Sequence, residues 1–198
     1  MARYTKMNPN AFKNMTWDAG IIASDFDPET GELDVENILW ETTGTNSFSA
    51  TRDITDAGEE INNCPTGTKQ LQRANSWVAQ ATGTAVSVTA ESVVRILGNA
   101  DIETSDSTHI KPRNDILLTD FKDLWIITNY SEHNGETKGG YYAIHLKDTF
   151  SVDGLASDFD KNANGQFPYT LQAYYDMSDI DNVPFDIYVK AGAAESAG

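Results

Sequence analysis

The chain has 198 residues, a formal net charge of −16 and a single cysteine, Cys64. A domain of this length buries about 70% of its unfolded surface, so it can form a core without a metal or a disulfide. The negative charge argues against a surface that grips nucleic acid or an anionic membrane, because both need a cationic footprint. No apolar run reaches the roughly 18 residues of a membrane helix, and we expect a soluble protein that is made in the cytoplasm.

The distribution of polar and apolar residues predicts one domain with an extension at each end. Residues 1–16 are polar and predict an N-terminal arm, whereas residues 17–190 carry the strand patterns of a single β-rich domain. Residues 191–198 are small and lack packing groups, which predicts a flexible C-terminal tail.

In the N-terminal half, short apolar or alternating runs between turn residues predict several strands. These runs are Trp17–Ala23, Val35–Trp40, Phe48–Asp53, and a hairpin that rises through Gln70–Ala81, bends at Thr82–Thr84 and returns through Ala85–Val88. An acidic loop precedes Val35, and the 55–67 segment is predicted to be a second loop.

The segment after this hairpin predicts the one α-helix, at about residues 89–97. Thr89 is a good N-cap, and Gly98 is a good stop. An apolar stripe of Ala90, Val93, Val94 and Leu97 should face the sheet.

The C-terminal half predicts further strands and ends with the clearest pattern in the chain. The predicted strands are Ile116–Leu118, Leu124–Tyr130, Tyr141–Lys147, 167–175 and 185–190, with a polar loop over Asp101–Asn114. Phe167, Tyr169, Leu171, Ala173 and Tyr175 alternate, and so do Phe185, Ile187 and Val189, which places each set on one face of a strand. The fold class is therefore mainly β, a sandwich or barrel with one flanking helix and long loops.

Catalytic and metal-binding motifs are sparse. His109, His133 and His145 are scattered, and the chain has neither a nucleophile elbow nor a phosphate-binding glycine loop. Asp160, Asn162 and Asn164 match the first half of a calcium loop, but the twelfth position is Leu171 where a glutamate is required. We expect no metal, no cofactor and no enzymatic activity.

Two functions can be considered from the composition alone, a binding module and an enzyme. Strand aromatics such as Trp125, Tyr141 and Tyr169 could form a carbohydrate-binding platform on a β-sandwich recognition module, although strands also favour aromatics for packing. An enzyme that uses the many carboxylates is the second, but no pair stands out from the acidic loops.

Several segments in order resemble the major tail (tail tube) proteins of long-tailed, non-contractile bacteriophages. They are 44–53, 65–69, 83–102, 120–130, 142–148 and 181–189. Each is only a turn with a strand or helix, but their order and spacing cover most of the chain after residue 40.

The resemblance implies a structural virion protein. Such a subunit forms homohexameric rings that stack into a hollow tail tube, and DNA passes through the tube to the host without binding tightly. The implied partners are copies of the chain itself, the tape-measure protein and the tail-end proteins, with no membrane. The implied location is the virion tail, assembled in the host cytoplasm.

The resemblance and the acidity together suggest which residues face DNA or neighbouring rings. A lumen lined by carboxylates repels phosphates, and we expect the hairpins 44–53 and 70–88, with Asp53 and Trp77, to line it. The loops 29–34 and 55–65 are expected to make ring-to-ring contacts through Glu29, Glu32, Asp34, Asp56, Glu59 and Glu60. The alternative is that these acidic residues only face solvent on the exterior of the protein and make no contact.

Overall fold

The computed structural model describes residue 8 and residues 11–130 and 137–194. In that part of the chain all strand pairs are antiparallel, and one α-helix, α1 (Ala90–Leu97), accompanies them. The strands are β1 (Thr16–Ala23), β2 (Ile38–Trp40), β3 (Thr42–Asp56), β4 (Gln72–Ala85), β5 (Ala100–Glu103), β6 (Asp106–Pro112), β7 (Lys122–Tyr130), β8 (Thr137–Lys138), β9 (Tyr141–Ser151), β10 (Phe167–Ala173), β11 (Phe185–Lys190) and β12 (Ala193–Ala194). The predicted fold class, mainly β with one helix, is confirmed.

The main sheet has the order β2-β1-β7-β9-β10-β4-β3, with β11 also paired to β9. Along one edge of β9, β11 pairs with Tyr141–Leu146 and β10 pairs with Thr149–Ser151. Asp148 lies between these two segments with a φ of 48°. This left-handed conformation, which Asp tolerates, accompanies the change of partner strand. We call β2, β1, β7, β11 and the first part of β9 the first layer, and β10, β4 and β3 the second layer.

A side-chain bridge connects the far edges of the two layers. The Asn46 Nδ2 on β3 donates to the carbonyl oxygens of Ala19 (2.9 Å) and Gly20 (3.3 Å) on β1. The ring of Trp40 in the first layer packs edge to face on the ring of Tyr169 in the second layer, with ring centroids 5.1 Å apart. The sandwich is therefore closed on this side in a barrel-like manner.

The main core lies between the layers and follows the predicted alternation. Tyr169, Leu171 and Ala173 of β10 are buried, whereas Thr170 and Gln172 are half-buried on the other face. They pack with Leu124 and Leu146 of the first layer, which are fully buried. Burying such side chains contributes about 1.5–3 kcal/mol each, so this cluster holds the layers together.

A second apolar cluster lies on the opposite face of the first layer, beneath the segment 24–34. Phe26 packs edge to face on Trp125 and Tyr141, with ring centroids 5.5 and 5.0 Å apart. Tyr141 and Trp125 are therefore buried packing residues, as is Tyr169 in the main core. These three aromatics therefore do not contribute to an exposed platform.

The predicted ends of α1 are confirmed. The Ser92 amide donates to the Thr89 hydroxyl at 3.2 Å, and the Thr89 amide donates to the Ser92 hydroxyl at 2.6 Å. Together they form a reciprocal cap. Gly98 ends the helix with a φ of 97°, which a side chain would strain.

The predicted apolar stripe on α1 is wrong in detail. Ala90, Val93, Val94 and Leu97 are only half-buried, and the fully buried residues of the helix are Ser92 and Ile96. The helix contacts β5, β6, β9 and β10, and Ser92 and Ile96, which are four residues apart and so lie on one face, form its buried line in place of the predicted stripe.

The predicted bend at Thr82–Thr84 is also wrong, because β4 runs without interruption from Gln72 to Ala85. Gly83 pairs with Tyr169 of β10. A Cβ at Gly83 would lie 2.5 Å from the Tyr169 hydroxyl and 2.5 Å from the Asn46 side-chain oxygen. The glycine serves a close approach between strands, not a turn.

Three further predictions along the chain need correction. Asp101–Asn114 is not a loop, because β5 and β6 form a hairpin there. Ile116–Leu118 is not a strand, because an ion pair between Arg113 and Asp120 (2.6 Å) folds this segment into a turn that ends in a short 3-10 helix. The 35–40 segment is a strand only from Ile38 onward.

The predicted apolar face of β11 contacts the main core only at its first residue, Phe185, which is half-buried. Phe185 packs in the main core, whereas Ile187 and Val189 are 46% and 55% exposed. Tyr188, on the opposite face, instead packs on Trp125. The described part of the predicted tail includes β12, which pairs with β8. The predicted division into an N-terminal extension (residues 1–16), one domain and a C-terminal tail stays a prediction. Residues 1–7, 9–10 and 195–198 lie outside the described part.

Candidate assembly surface

The hairpin β3–β4 extends beyond the body of the protein. Its two strands pair from Thr42–Ala85 to Asp56–Gln72. The third strand, β10, covers β4 only between Ala79 and Ala85. Residues 51–56 and 72–78 are therefore two-stranded, and with the connecting loop they form a projection that we call the arm (residues 51–78).

Polar contacts organise the distal part of the arm. The Asp56 carboxylate accepts hydrogen bonds from the Gly67 amide (2.8 Å) and the Gly58 amide (2.9 Å). These bonds hold the pKa of Asp56 below its ordinary value, because they favour the ionised carboxylate. The Asn75 Nδ2 bonds Asp53 (3.0 Å) and Thr55 (2.7 Å) across the bulge in the ladder.

One face of the arm continues the apolar inner face of the second layer. Trp77 meets Phe185 edge to face at 5.5 Å, and the Arg52 guanidinium lies 5.3 Å from the centroid of the Trp77 ring. Beyond them on the same face, Ile54 is 46% exposed. This inner face of the arm therefore ends in an uncovered apolar surface beside a cation.

The opposite face of the second layer is polar and almost uncharged. We call it the polar face, and its residues are Ser47, Ser49, Thr51, Ser76, Val78, Gln80, Thr82, Thr170 and Gln172. The Gln80 and Gln172 side chains bond each other across two strands at 2.8 Å. Asp53 and Arg73 occupy the same side of the ladder farther along the arm, where Arg73 pairs with Thr55. The face is thus built from short neutral side chains.

Several strands have an unpaired edge in the described part of the chain, and two of them, β3 and β11, lie at the ends of long pairings in the main sheet. β3 ends the order of the sheet and pairs only with β4, and β11 pairs only with β9. Over Thr42–Thr51, β3 carries no charged residue and no proline. Charged side chains and prolines usually protect an exposed edge from pairing with another chain, so this edge of β3 is unprotected.

The predicted lumen and contact residues fall into two groups that the structure does not bring together. Within the arm, Asp53 lies on the side of the polar face, Trp77 lies on the inner face, and Asp56 is engaged in its own loop. Glu59 and Glu60 are exposed in the loop at the end of the arm.

The other group lies on the segment 24–34, which covers the outer face of the first layer. Glu29, Glu32 and Asp34 are exposed there. The segment is fixed by a bond from the Tyr141 hydroxyl to the Pro28 carbonyl oxygen and by one from the Lys190 Nζ to the Glu29 carbonyl oxygen (3.0 Å). Whether any residue of either group contacts another ring stays a prediction.

The calcium candidate is an exposed turn. The Lys161 amide donates to the Asp160 carboxylate at 2.7 Å, and Asn162 has a φ of 63°. Across the described ranges, no group of three or more His, Cys, Asp or Glu side chains could hold a metal ion. None of the described helices is both long and apolar enough to cross a membrane.

One exposed feature was not predicted from the sequence, and we call it the acidic turn (residues 176–182). All seven residues are exposed, and they include Met177 at 94% and Ile180 at 70%. The signal available in the sequence was the pair of apolar side chains, Met177 and Ile180, set between Asp176, Asp179 and Asp181.

No protein-family model matches the chain, and no curated protein matches it. A search of solved structures finds a similarity to a chain from the virion of a native gene transfer agent particle. The identity is 7% and the TM-score is 0.41, over 87% of this chain and 96% of that chain. At that identity and TM-score the similarity supports no conclusion about this chain.

Proposed function

We propose that the chain is a structural protein of a virion tail, which assembles with copies of itself into hexameric rings that stack into a tube. The arm is the observation that carries this proposal. In such a tail the further partners are the tape-measure and tail-end proteins, and DNA passes through the bore.

The arm needs a partner for a physical reason. An isolated two-stranded hairpin is at best marginally stable in water, and a third strand or a packed layer is needed to hold it. Residues 51–55 and 72–75 are exposed, and β10 stops before it reaches them. A second copy of the chain supplies the missing layer in every subunit of a ring or stack.

The unpaired edges give the contact its direction. The edge of β3 on one copy and the edge of β11 on the next are different surfaces, so a contact between them is head-to-tail. Head-to-tail contacts that close by rotation form rings, and contacts that repeat along an axis form filaments. Assembly also removes the aggregation risk of the uncharged edge over Thr42–Thr51.

The polar face suits the wall of a bore. Proteins hold nucleic acid mainly through lysine and arginine contacts to phosphates. Over the nine residues of the polar face there is no cation, and Arg73 on the arm lies near Asp53 on the same side. We propose that DNA slides past this face because it offers no strong phosphate contact. Asp53, the carboxylate expected in the lumen, lies on this side of the ladder.

Removing the arm tests the proposal. Arg52 and Trp77 are paired in the ladder. Replacing residues 53–76 with Asn-Gly connects these two residues through a two-residue hairpin turn. We expect the wild-type protein to form rings or tubes with increasing concentration and the shortened variant to remain a folded monomer. A matched control shortens the exposed 159–164 loop and should assemble normally. Sedimentation velocity distinguishes these outcomes, and normal assembly of the armless variant would contradict the proposal.

A further inference from the structure

The acidic turn has the features of a docking segment. Met177 and Ile180 are among the most exposed large apolar side chains in the described part of the chain. The turn is also pre-formed, because the Ser178 amide donates to the Asp176 carboxylate (2.7 Å) and the Asn182 amide donates to the Asp179 carbonyl oxygen (3.1 Å). A pre-formed segment loses little conformational entropy when it binds.

The inner face of the arm has complementary features. Ile54 is half-exposed beside Trp77, and Arg52 is exposed above the Trp77 ring. None of the ion pairs between described residues involves Arg52. On the acidic turn, the Asp181 side chain has no hydrogen-bond or ion-pair partner within the described ranges. An apolar pair and one free charge of opposite sign are thus available on each side.

We infer that the acidic turn of one copy binds the inner face of the arm of the next copy. In this contact Ile180 and Met177 cover Ile54 and the edge of Trp77, and Asp181 pairs with Arg52. Tyr175 and Phe185, which flank the turn, contact Trp77 of the same copy, but Met177 and Ile180 themselves stay 94% and 70% exposed and do not cover their own arm. This inference rests on the proposed self-assembly and names the surfaces that join.

A charge exchange tests the pairing. Arg52→Asp and Asp181→Arg should each raise the concentration needed for assembly by about tenfold, because each places like charges in contact. The double variant restores the pair and should assemble within about threefold of the wild type. Lys161→Asp and Asp153→Arg are matched controls, because both residues are exposed and form no ion pair in the described ranges.

A disulfide trap separates contacts between copies from contacts within one copy. In a Cys64→Ser background, Ile54→Cys combined with Ile180→Cys should give a ladder of covalent multimers on a non-reducing gel after mild oxidation. A cross-linked monomer alone, or no cross-link in assembled protein, would overturn the inference. If the wild-type protein never assembles, the proposed function itself fails. If it assembles while the charge variants behave as the wild type, only this inference fails.

Discussion

Gly83→Ala tests whether the close approach of β4, β10 and β3 at Gly83, near the C-terminal end of β4, stabilises the second layer. The added Cβ would lie 2.5 Å from the Tyr169 hydroxyl and 2.5 Å from the Asn46 Oδ1, well inside contact distance. Overpacking of this kind costs about 1–3 kcal/mol. Separating these groups also breaks the Tyr169–Asn46 hydrogen bond (3.3 Å), which adds about 1 kcal/mol. We therefore expect a loss of roughly 2–4 kcal/mol in the free energy of unfolding.

Urea unfolding followed by tryptophan fluorescence measures this loss at a concentration where the protein is monomeric. Gly165→Ala is the matched control, because its Cβ would meet mainly the ring of Phe159, which is 79% exposed and free to move. Its effect should stay below about 1 kcal/mol.

A double-mutant cycle with Tyr169→Phe gives a sharper result. Removing the hydroxyl relieves one of the two closest contacts of the added Cβ. The free energy of unfolding lost by the double variant should therefore be smaller, by about 1 kcal/mol, than the sum of the losses of the two single variants. The reasoning is refuted if Gly83→Ala costs no more than Gly165→Ala, or if the two changes are additive.

Three further changes test the helix, the core and the bend of β9. Thr89→Ala removes the cap of α1 and should cost about 1 kcal/mol in urea unfolding, whereas Thr89→Ser should cost much less. Ile96→Ala should cost about 2–5 kcal/mol because Ile96 is fully buried, and Leu118→Ala, at a side chain that is 90% exposed, should cost under about 0.5 kcal/mol. Burial, followed by the nearby carboxylate of Asp123, raises the pKa of Asp148, so ionisation of Asp148 destabilises the fold as pH rises through that pKa. Asp148→Asn should raise the thermal midpoint at pH 7 and leave it unchanged near pH 3, below the unfolded carboxyl pKa of about 3.9, and equal gains at both pH values would contradict this sign.

Local sequence patterns correctly predicted the features that depend only on residues close together in the chain. The alternation of Tyr169, Leu171 and Ala173 identifies the buried face of β10, because one sheet face is covered along its whole length. The signals at Thr89 and Gly98 also identify the ends of α1, since a cap depends on neighbouring residues in the chain.

The errors arose where a distant residue decides the structure. Gly83 between two threonines has the composition of a turn, and only its contact with Tyr169 on another strand explains why it lies within β4. The face of β11 was misjudged for a similar reason, because Ile187 and Val189 extend past the end of the core that Phe185 contacts.

The candidate surface was only partly accessible from the sequence. Residues 44–53 and 70–88 were both expected to line the lumen, and the structure pairs them as parts of β3 and β4, but the arm is defined by where β10 ends, which no local pattern reveals. The segment 24–34 and the arm are both acidic loops in the sequence, and only the fold separates them onto different layers.

The most direct measurement is negative-stain electron microscopy of the purified wild-type protein over a concentration series. The account predicts annular particles with sixfold symmetry that give way to hollow tubes as concentration rises. Only monomers or irregular aggregates at every concentration would contradict it.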